Sequence, residues 1–240
     1  MFIISAGKLY GKYSHPYGII FNRSNIEVRK KTLKKLPFYK KLKSNAKILE
    51  LGGTGQDAVA FAELGFDTTF IDLSKENIKK TKNFKLKSKN KIKLINADFL
   101  KYKFKAKFDL VRSRGVIHHT ADPAKVFIKI NKILNNGAYL HFNLYRSGVF
   151  YYWFVEKLRK ISSSIDLKKF LKILLKVRLN DKEKSKIGNN KTIKAKSDFY
   201  NIIIDDLYVP FLNPANYFDV CKDLKTLNFK IIKQNKIKHR

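Results

Sequence analysis

One stretch restricts the fold more than any other: residues 48–57, ILELGGTGQD. An apolar run over 46–51 meets Gly52-Gly53-Thr54-Gly55, and an apolar helical pattern follows at once in Ala58, Val59, Phe61, Ala62 and Leu64. A strand, a tight turn and a helix are therefore predicted in direct succession, with the turn stripped of side chains. Glycine permits positive φ there and lets a ligand lie against bare backbone. The helix behind the turn offers unpaired N–H groups and the positive end of its dipole to something anionic or polar.

The downstream sequence repeats the strand–helix rhythm. Residues 67–72, DTTFID, read as a second strand ending on Asp72, about twenty residues beyond the glycine turn, where a dinucleotide-type fold uses an acid to accept hydrogen bonds from ribose hydroxyls. Ser74 is expected to cap a helix over 75–84. A third strand, 92–95, runs into Asn96-Ala97-Asp98-Phe99, where a carboxylate and a ring beside the same crevice would hold and sandwich a base. Each residue has a plainer alternative: Asp72 as a turn acid, Asp98 as a cap, Phe99 as core. Together, acids at three successive strand ends (Glu50, Asp72, Asp98) argue for a shared site.

A fourth strand, 108–111, leads into Arg112-Ser113-Arg114-Gly115-Val116-Ile117-His118-His119. Asp122-Pro123 then starts a helix, with an acid at the cap and proline at the first position. That helix is apolar at Val126, Ile130, Ile133 and Leu134, is expected to stop at Asn135-Asn136-Gly137, and precedes a fifth strand over 138–144. Strands alternating with helices imply parallel βαβ units in a doubly wound α/β sheet, whose ligands lie outside the carboxyl ends of the strands.

The flanks break this rhythm. Residues 11–18, rich in Gly, Pro and aromatics, read as an ordered loop, and Ser24 is the expected cap of a helix reaching 36, ahead of Pro37. Tyr13, His15 and Tyr17 form either a lid over a ligand or a packed arm. Apolar helical patterns at 149–155 and 167–177, then a polar stretch over 181–197, suggest an inserted, mainly helical cap. A last helix is expected over 216–227, with Asn228 in the left-handed position that glycine usually takes, and a last strand over 229–234. The whole reads as one domain over 1–240: an N-terminal helical arm (1–44), a cofactor-binding core (45–145), a cap (146–212) and a closing helix and strand (213–240).

The formal charge of +33 has two readings. A charge this large attracts nucleic acid, anionic lipid or acidic partners. Lysine is nevertheless spread almost everywhere and travels with asparagine and isoleucine, which points to compositional bias. The single cysteine, Cys221, excludes an intrachain disulfide and a cysteine-built metal site, and suits a reducing compartment. No tight His/Asp/Glu cluster suggests a metal, and no apolar run approaches the ~20 residues that span a bilayer, so the expected location is cytoplasmic.

The motifs in this order resemble those of the class I S-adenosylmethionine-dependent methyltransferases. The glycine turn is similar to that family's E-x-G-x-G-x-G, and Asp72, Asn96-Ala97-Asp98-Phe99 and Phe108-Asp109-Leu110-Val111 follow in sequence. Gly115-Val116-Ile117-His118-His119-Thr120-Ala121-Asp122-Pro123 is very similar to the GVLHHTPDP segment of one large branch. Leu144-Tyr145 and Asp206-Leu207-Tyr208-Val209-Pro210 match further features of that branch. The resemblance implies a Rossmann-like methyltransferase fold and S-adenosylmethionine as cofactor. It implies that Glu50 orders the glycine loop, with Gly52, Gly53 and Gly55 behind the methionine part. Asp72 would bind the ribose, Asp98 the adenine amine, Phe99 the ring, and the segment from Ser113 to Gly115 would run beneath the cofactor. Two departures are noted: the glycine motif is one residue shorter than usual, and only one strand is visible after the last helix, so a seventh strand is not expected.

Methyl transfer from a sulfonium is an in-line displacement that depends on positioning and on exclusion of water. If the acceptor is a hydroxyl or a protonated amine, a base is needed, and His118 or His119, just past the fourth strand, has the right chemistry. One of them would instead be a structural histidine. His141, within the fifth strand, is expected to be buried. Tyr145 at that strand's end, with Tyr13 and His15, would touch substrate. The favoured function is methylation of an O, N or C atom of a small molecule. An RNA methyltransferase using the basic surface, and a non-catalytic scaffold with a cofactor-type fold, are the alternatives.

Overall fold

The computed structural model describes residues 21–145, 147, 150–162, 169, 207 and 211–232. Five strands form one parallel sheet: β1 (Lys47–Leu51), β2 (Asp67–Asp72), β3 (Ile92–Asn96), β4 (Phe108–Arg114) and β5 (Leu134–Asn143), in the order β3-β2-β1-β4-β5. The order reverses between β1 and β4, and ligands of such sheets lie beyond the strand ends at that point.

Helices cover both faces. On one side lie α1 (Arg23–Lys34), α2 (Gln56–Glu63) and α3 (Lys75–Asn83), with Ile26, Leu33, Val59 and Phe61 packed against Ile48 and Leu110. On the other, α4 (Pro123–Ile133) and the last helix contribute Val126, Ile130 and Leu224 against Leu49, Leu51 and Val111. In chain order that last helix is α6 (Tyr217–Thr226), preceded by α5 (Phe150–Ser162). Complete burial of Leu49, Ile48, Ile71 and Val111 explains the near-continuous apolar runs: parallel strands are covered on both faces.

The helix starts follow from side-chain caps. The oxygens of Ser74, Asp122 and Asn216 accept backbone N–H bonds from Asn77, Lys125 and Phe218 at 3.3, 3.0 and 2.8 Å. The expected cap at Ser24 is corrected to Asn22, whose Oδ1 accepts from the Asn25 N–H at 2.9 Å. Asn228 does take the left-handed conformation, at φ 63°.

Two further corrections concern strands. β5 begins at Leu134, so Asn135-Asn136-Gly137 lie within the strand; its pairing with β4 is irregular there, and Gly137 has φ 75°. Residues 229–232 form no strand; Phe229 instead packs against the core containing Leu224, its N–H bonded to the Leu224 carbonyl. Tyr13, His15, Tyr17, most of the expected cap and all of 206–210 except Leu207 lie outside the described residues. Among the described residues, no helix is long and apolar enough to cross a membrane.

Candidate active site

The glycine turn closes β1 onto α2 with three left-handed residues, Gly52, Gly53 and Gly55, at φ 65°, 89° and 75°. Each neighbour explains a glycine. A Cβ on Gly52 would lie 2.6 Å from the Val116 side chain, and one on Gly55 only 2.0 Å from Thr81 Oγ1. The Gly52 N–H donates to the Ile71 carbonyl at 2.8 Å, tying the turn to β2. Asn77, on α3, donates from Nδ2 to the Gly53 carbonyl at 2.9 Å. The tight turn is therefore built in three dimensions, held by β2 and α3.

Glu50, buried at the end of β1, accepts the Ala58 N–H at the start of α2. Burial and the nearby Asp57 carboxylate raise its pKa well above the usual carboxylate range, against the pull of that N–H and of Arg112. Asp72 ends β2, with Oδ1 accepting the Ser74 N–H at 2.6 Å. Burial pushes its pKa up to about 7, although the Ser74 N–H and Asn77 favour the charged form. Asp98 follows β3 and turns one oxygen onto the Leu100 N–H at 2.8 Å. Phe99 is buried in the core, its ring 5.7 Å from that of Phe104.

Past β4, Ser113 Oγ donates to the Leu51 carbonyl at 3.3 Å, and the Gly115 N–H donates to Asn143 Oδ1 at 2.9 Å. A 3-10 turn, Ile117–His119, then carries the double histidine. The fully buried His118 ring stacks on Tyr145 at 3.9 Å between centroids and lies 4.2 Å from His119. Among the described residues, neither His118 nitrogen has a hydrogen-bond partner, and burial, aided by His119, pulls its pKa down to about 2. His119 Nδ1 lies 3.1 Å from the Phe211 carbonyl. A carbonyl only accepts, so Nδ1 carries the proton and Nε2 becomes the ring's proton-accepting nitrogen. The returning segment pins this turn: the Asn213 N–H donates to the His118 carbonyl at 2.8 Å, and the Ala215 N–H to the Tyr145 carbonyl at 2.8 Å. His118, His119 and Tyr145 thus form one cluster at the ends of β4 and β5.

Sequence reasoning missed a polar row behind the turn, buried at Glu50 and Arg112 and half-buried at His141. Glu50, Arg112 and His141 are neighbours across β1, β4 and β5. Arg112 Nε donates to Asp57 Oδ2 at 2.6 Å, and Nη1 donates to His141 Nδ1 at 2.7 Å. Arg29 of α1 and Arg114 also approach Asp57, each at 3.7 Å. Burial and Arg112 lower the His141 pKa to about 4, so the ring is neutral, as an acceptor of an arginine hydrogen bond must be. The available signal was an arginine directly after the apolar Leu110-Val111 of β4, where a buried position needs a partner. Among the described residues, no three His, Cys, Asp or Glu gather as metal ligands.

Residues 49–142 match a family model described as "Methyltransferase domain". No curated protein sequence matches the chain. Among solved structures, PKMT2 from Rickettsia typhi, in complex with AdoHcy, is similar with a TM-score of 0.52 and 18% identity over 89% of this chain and 43% of that one. The PH0226 protein from Pyrococcus horikoshii OT3 has a TM-score of 0.45 and 25% identity over 55% of this chain and 63% of that one. The sugar N-methyltransferase KedS8 from Streptoalloteichus sp. has a TM-score of 0.41 and 19% identity over 55% and 52%. The chain thus spans 43–63% of the length of these structures. The likeness to PKMT2 supports the fold.

Proposed function

We propose that the chain, whose residues 49–142 match a model described as a methyltransferase domain, is an S-adenosylmethionine-dependent methyltransferase acting on an O, N or C atom of a small molecule. One observation carries the reading: left-handed bare glycines and the Asp72 carboxylate converge at the carboxyl ends of adjacent strands. The cradle suits the cofactor. Among the described residues, a Cβ on Gly115 would meet nothing within 4 Å, and one on Gly53 only Glu50 Oε1 at 3.7 Å and the Arg114 carbonyl at 3.9 Å, so these two glycines leave room beside the bare backbone.

When bound, the cofactor supplies an electrophilic sulfonium methyl. Gly52 and Gly55 let the turn close on Val116 and Thr81, Gly53 would leave its backbone open to the methionine part, and Glu50 fixes the start of α2 behind it. Asp72 accepts hydrogen bonds from the ribose hydroxyls. Asp98 receives the adenine amine, and Phe99 backs the ring from the core. Ser113 holds the end of β4 to β1, and Gly115 leaves room beside its backbone at the mouth. His119 is the better proton acceptor of the two histidines, because Nδ1–H is committed to Phe211. His118 resists protonation in its dry setting, which suits it to shaping the acceptor cavity with Tyr145. Tyr13 and His15 remain candidates for substrate contact.

The charge of +33 supports a second reading, methylation of RNA. Transfer of labelled methyl groups into cell extract, followed by fractionation, tests both. Label in the small-molecule fraction is expected; label confined to RNA selects the second reading, and label confined to protein refutes both. Absence of transfer in any fraction would favour the scaffold.

A further inference from the structure

Lys129, in the last half of α4, reaches out of its helix to the loop after β3. Its Nζ donates to the Leu100 carbonyl at 2.8 Å and to the Tyr102 carbonyl at 2.6 Å. That loop is a single turn closed on Asp98: Leu100 N–H bonds the Asp98 side chain at 2.8 Å, while Lys101 and Tyr102 N–H bond its carbonyl at 3.1 and 2.9 Å. The ammonium therefore caps carbonyls leaving the turn, where a cation is favoured. It also lies 5.4 Å from the Phe99 ring centroid and 5.9 Å from that of Phe104. Phe104 packs in turn on Phe99, Tyr102 and Phe108, at 5.7, 4.9 and 5.6 Å.

We propose that Lys129 is the positioning residue for base recognition, holding Asp98 and Phe99 in the arrangement that selects an adenine. This rests on the reading above, in which those two residues face the base. The sequence Asp98–Tyr102 has no strand or long helix to fix it, and a turn of this length is marginal alone. Two carbonyls held by one lysine from a packed helix give the turn a single orientation. The ammonium and the Asp98 carboxylate attract each other, which opposes the loss of charge that burial favours at Lys129. An ionised carboxylate is acceptor-only, the state that pairs with an exocyclic amine and rejects a carbonyl in its place. Lys129 thus sets the orientation of the turn that carries the group reading the base.

The test is calorimetric binding of S-adenosylhomocysteine and of S-inosylhomocysteine, in which a carbonyl replaces the amine, to the full chain and to Lys129→Met and Lys129→Arg. The wild type is expected to prefer the adenosyl ligand by about tenfold or more, the size of a lost charge-assisted hydrogen bond. Lys129→Met should cut that ratio at least about threefold, and Lys129→Arg should restore most of it, since a guanidinium can donate to both carbonyls. A ratio unchanged in Lys129→Met overturns the proposal, as does equal weakening of both ligands, which a merely structural lysine would give. If Lys129→Met does not fold, Lys129→Gln, with one donor group left, carries the same comparison. Wild-type protein that binds neither ligand refutes the underlying cofactor reading instead.

Discussion

Replacing Gly55 by alanine should damage this protein far more than the loss of two hydrogens suggests. Gly55 sits at φ 75°, where an L-residue pays about 1–2 kcal/mol. Its new methyl group would lie 2.0 Å from Thr81 Oγ1, 3.0 Å from Phe70 Cε1 and 3.2 Å from Thr81 Cβ. Both neighbours are buried, and the Thr81 hydroxyl is committed to the Asn77 carbonyl at 2.8 Å. Overpacking of this kind costs about 1–3 kcal/mol more, for a total of about 2–5 kcal/mol. Gly115→Ala is the control: its φ is 65°, but no described residue lies within 4 Å of the added Cβ, so the backbone cost of about 1–2 kcal/mol is the one expected. Urea unfolding followed by circular dichroism measures both variants. Adding Thr81→Ala to Gly55→Ala removes the nearest clash, and the double variant should be about 1 kcal/mol more stable than the two singles sum to. Equal destabilisation by Gly55→Ala and Gly115→Ala, within about 0.5 kcal/mol, would refute the packing argument.

Other tests address charge. Ribose hydroxyls donating to Asp72 favour its ionised form, so ligand binding should release a proton and tighten as pH rises toward about 7, then level off. Titrations of S-adenosylhomocysteine from pH 5.5 to 8.5 should show this slope in the wild type and not in Asp72→Asn. His118 and His141, with pKa values lowered to about 2 and about 4, bind fewer protons folded than unfolded. Their contribution to stability is therefore lost as pH drops below the unfolded histidine value of about 6.5, against the opposite contribution of Asp72 and Glu50, whose raised pKa values favour the folded state as pH falls. The stability difference between wild type and His141→Gln, read by thermal melts against pH, should shift in favour of the variant as pH falls from about 6.5 to about 4. His118→Leu removes two buried nitrogens without hydrogen-bond partners among the described residues, so its melting temperature should equal or exceed that of the wild type. A clear drop in that melt would mean the ring's polar atoms are satisfied in solution.

The sheet could be read from the sequence because the doubly covered strands wrote themselves as apolar runs and the caps Ser74 and Asp122 marked helix starts. The glycine turn was equally plain, since only positive φ and close approach call for that cluster. The supports of the turn were not. Asn77 holds Gly53, Lys129 holds the loop after Asp98, and Arg112 joins Asp57 to His141, each across 24 or more residues of sequence. Local pattern carries no record of such pairings; only topology brings them together. Asn135–Gly137 misled for a related reason. Asparagine and glycine signal a loop, yet the segment lies between Leu134 and Tyr139, both paired with β4, and is carried inside the strand as an irregularity of the ladder. Phe229 misled likewise, because an apolar residue after a left-handed Asn228 serves to close the helix against the core.

The most direct test of the central claim is calorimetric titration of S-adenosylhomocysteine into the full chain, with Asp72→Ala alongside. The account predicts saturable binding at one ligand per chain, weakened at least about tenfold in the variant. No binding to the wild type at high micromolar concentration, or equal binding to both proteins, would contradict it.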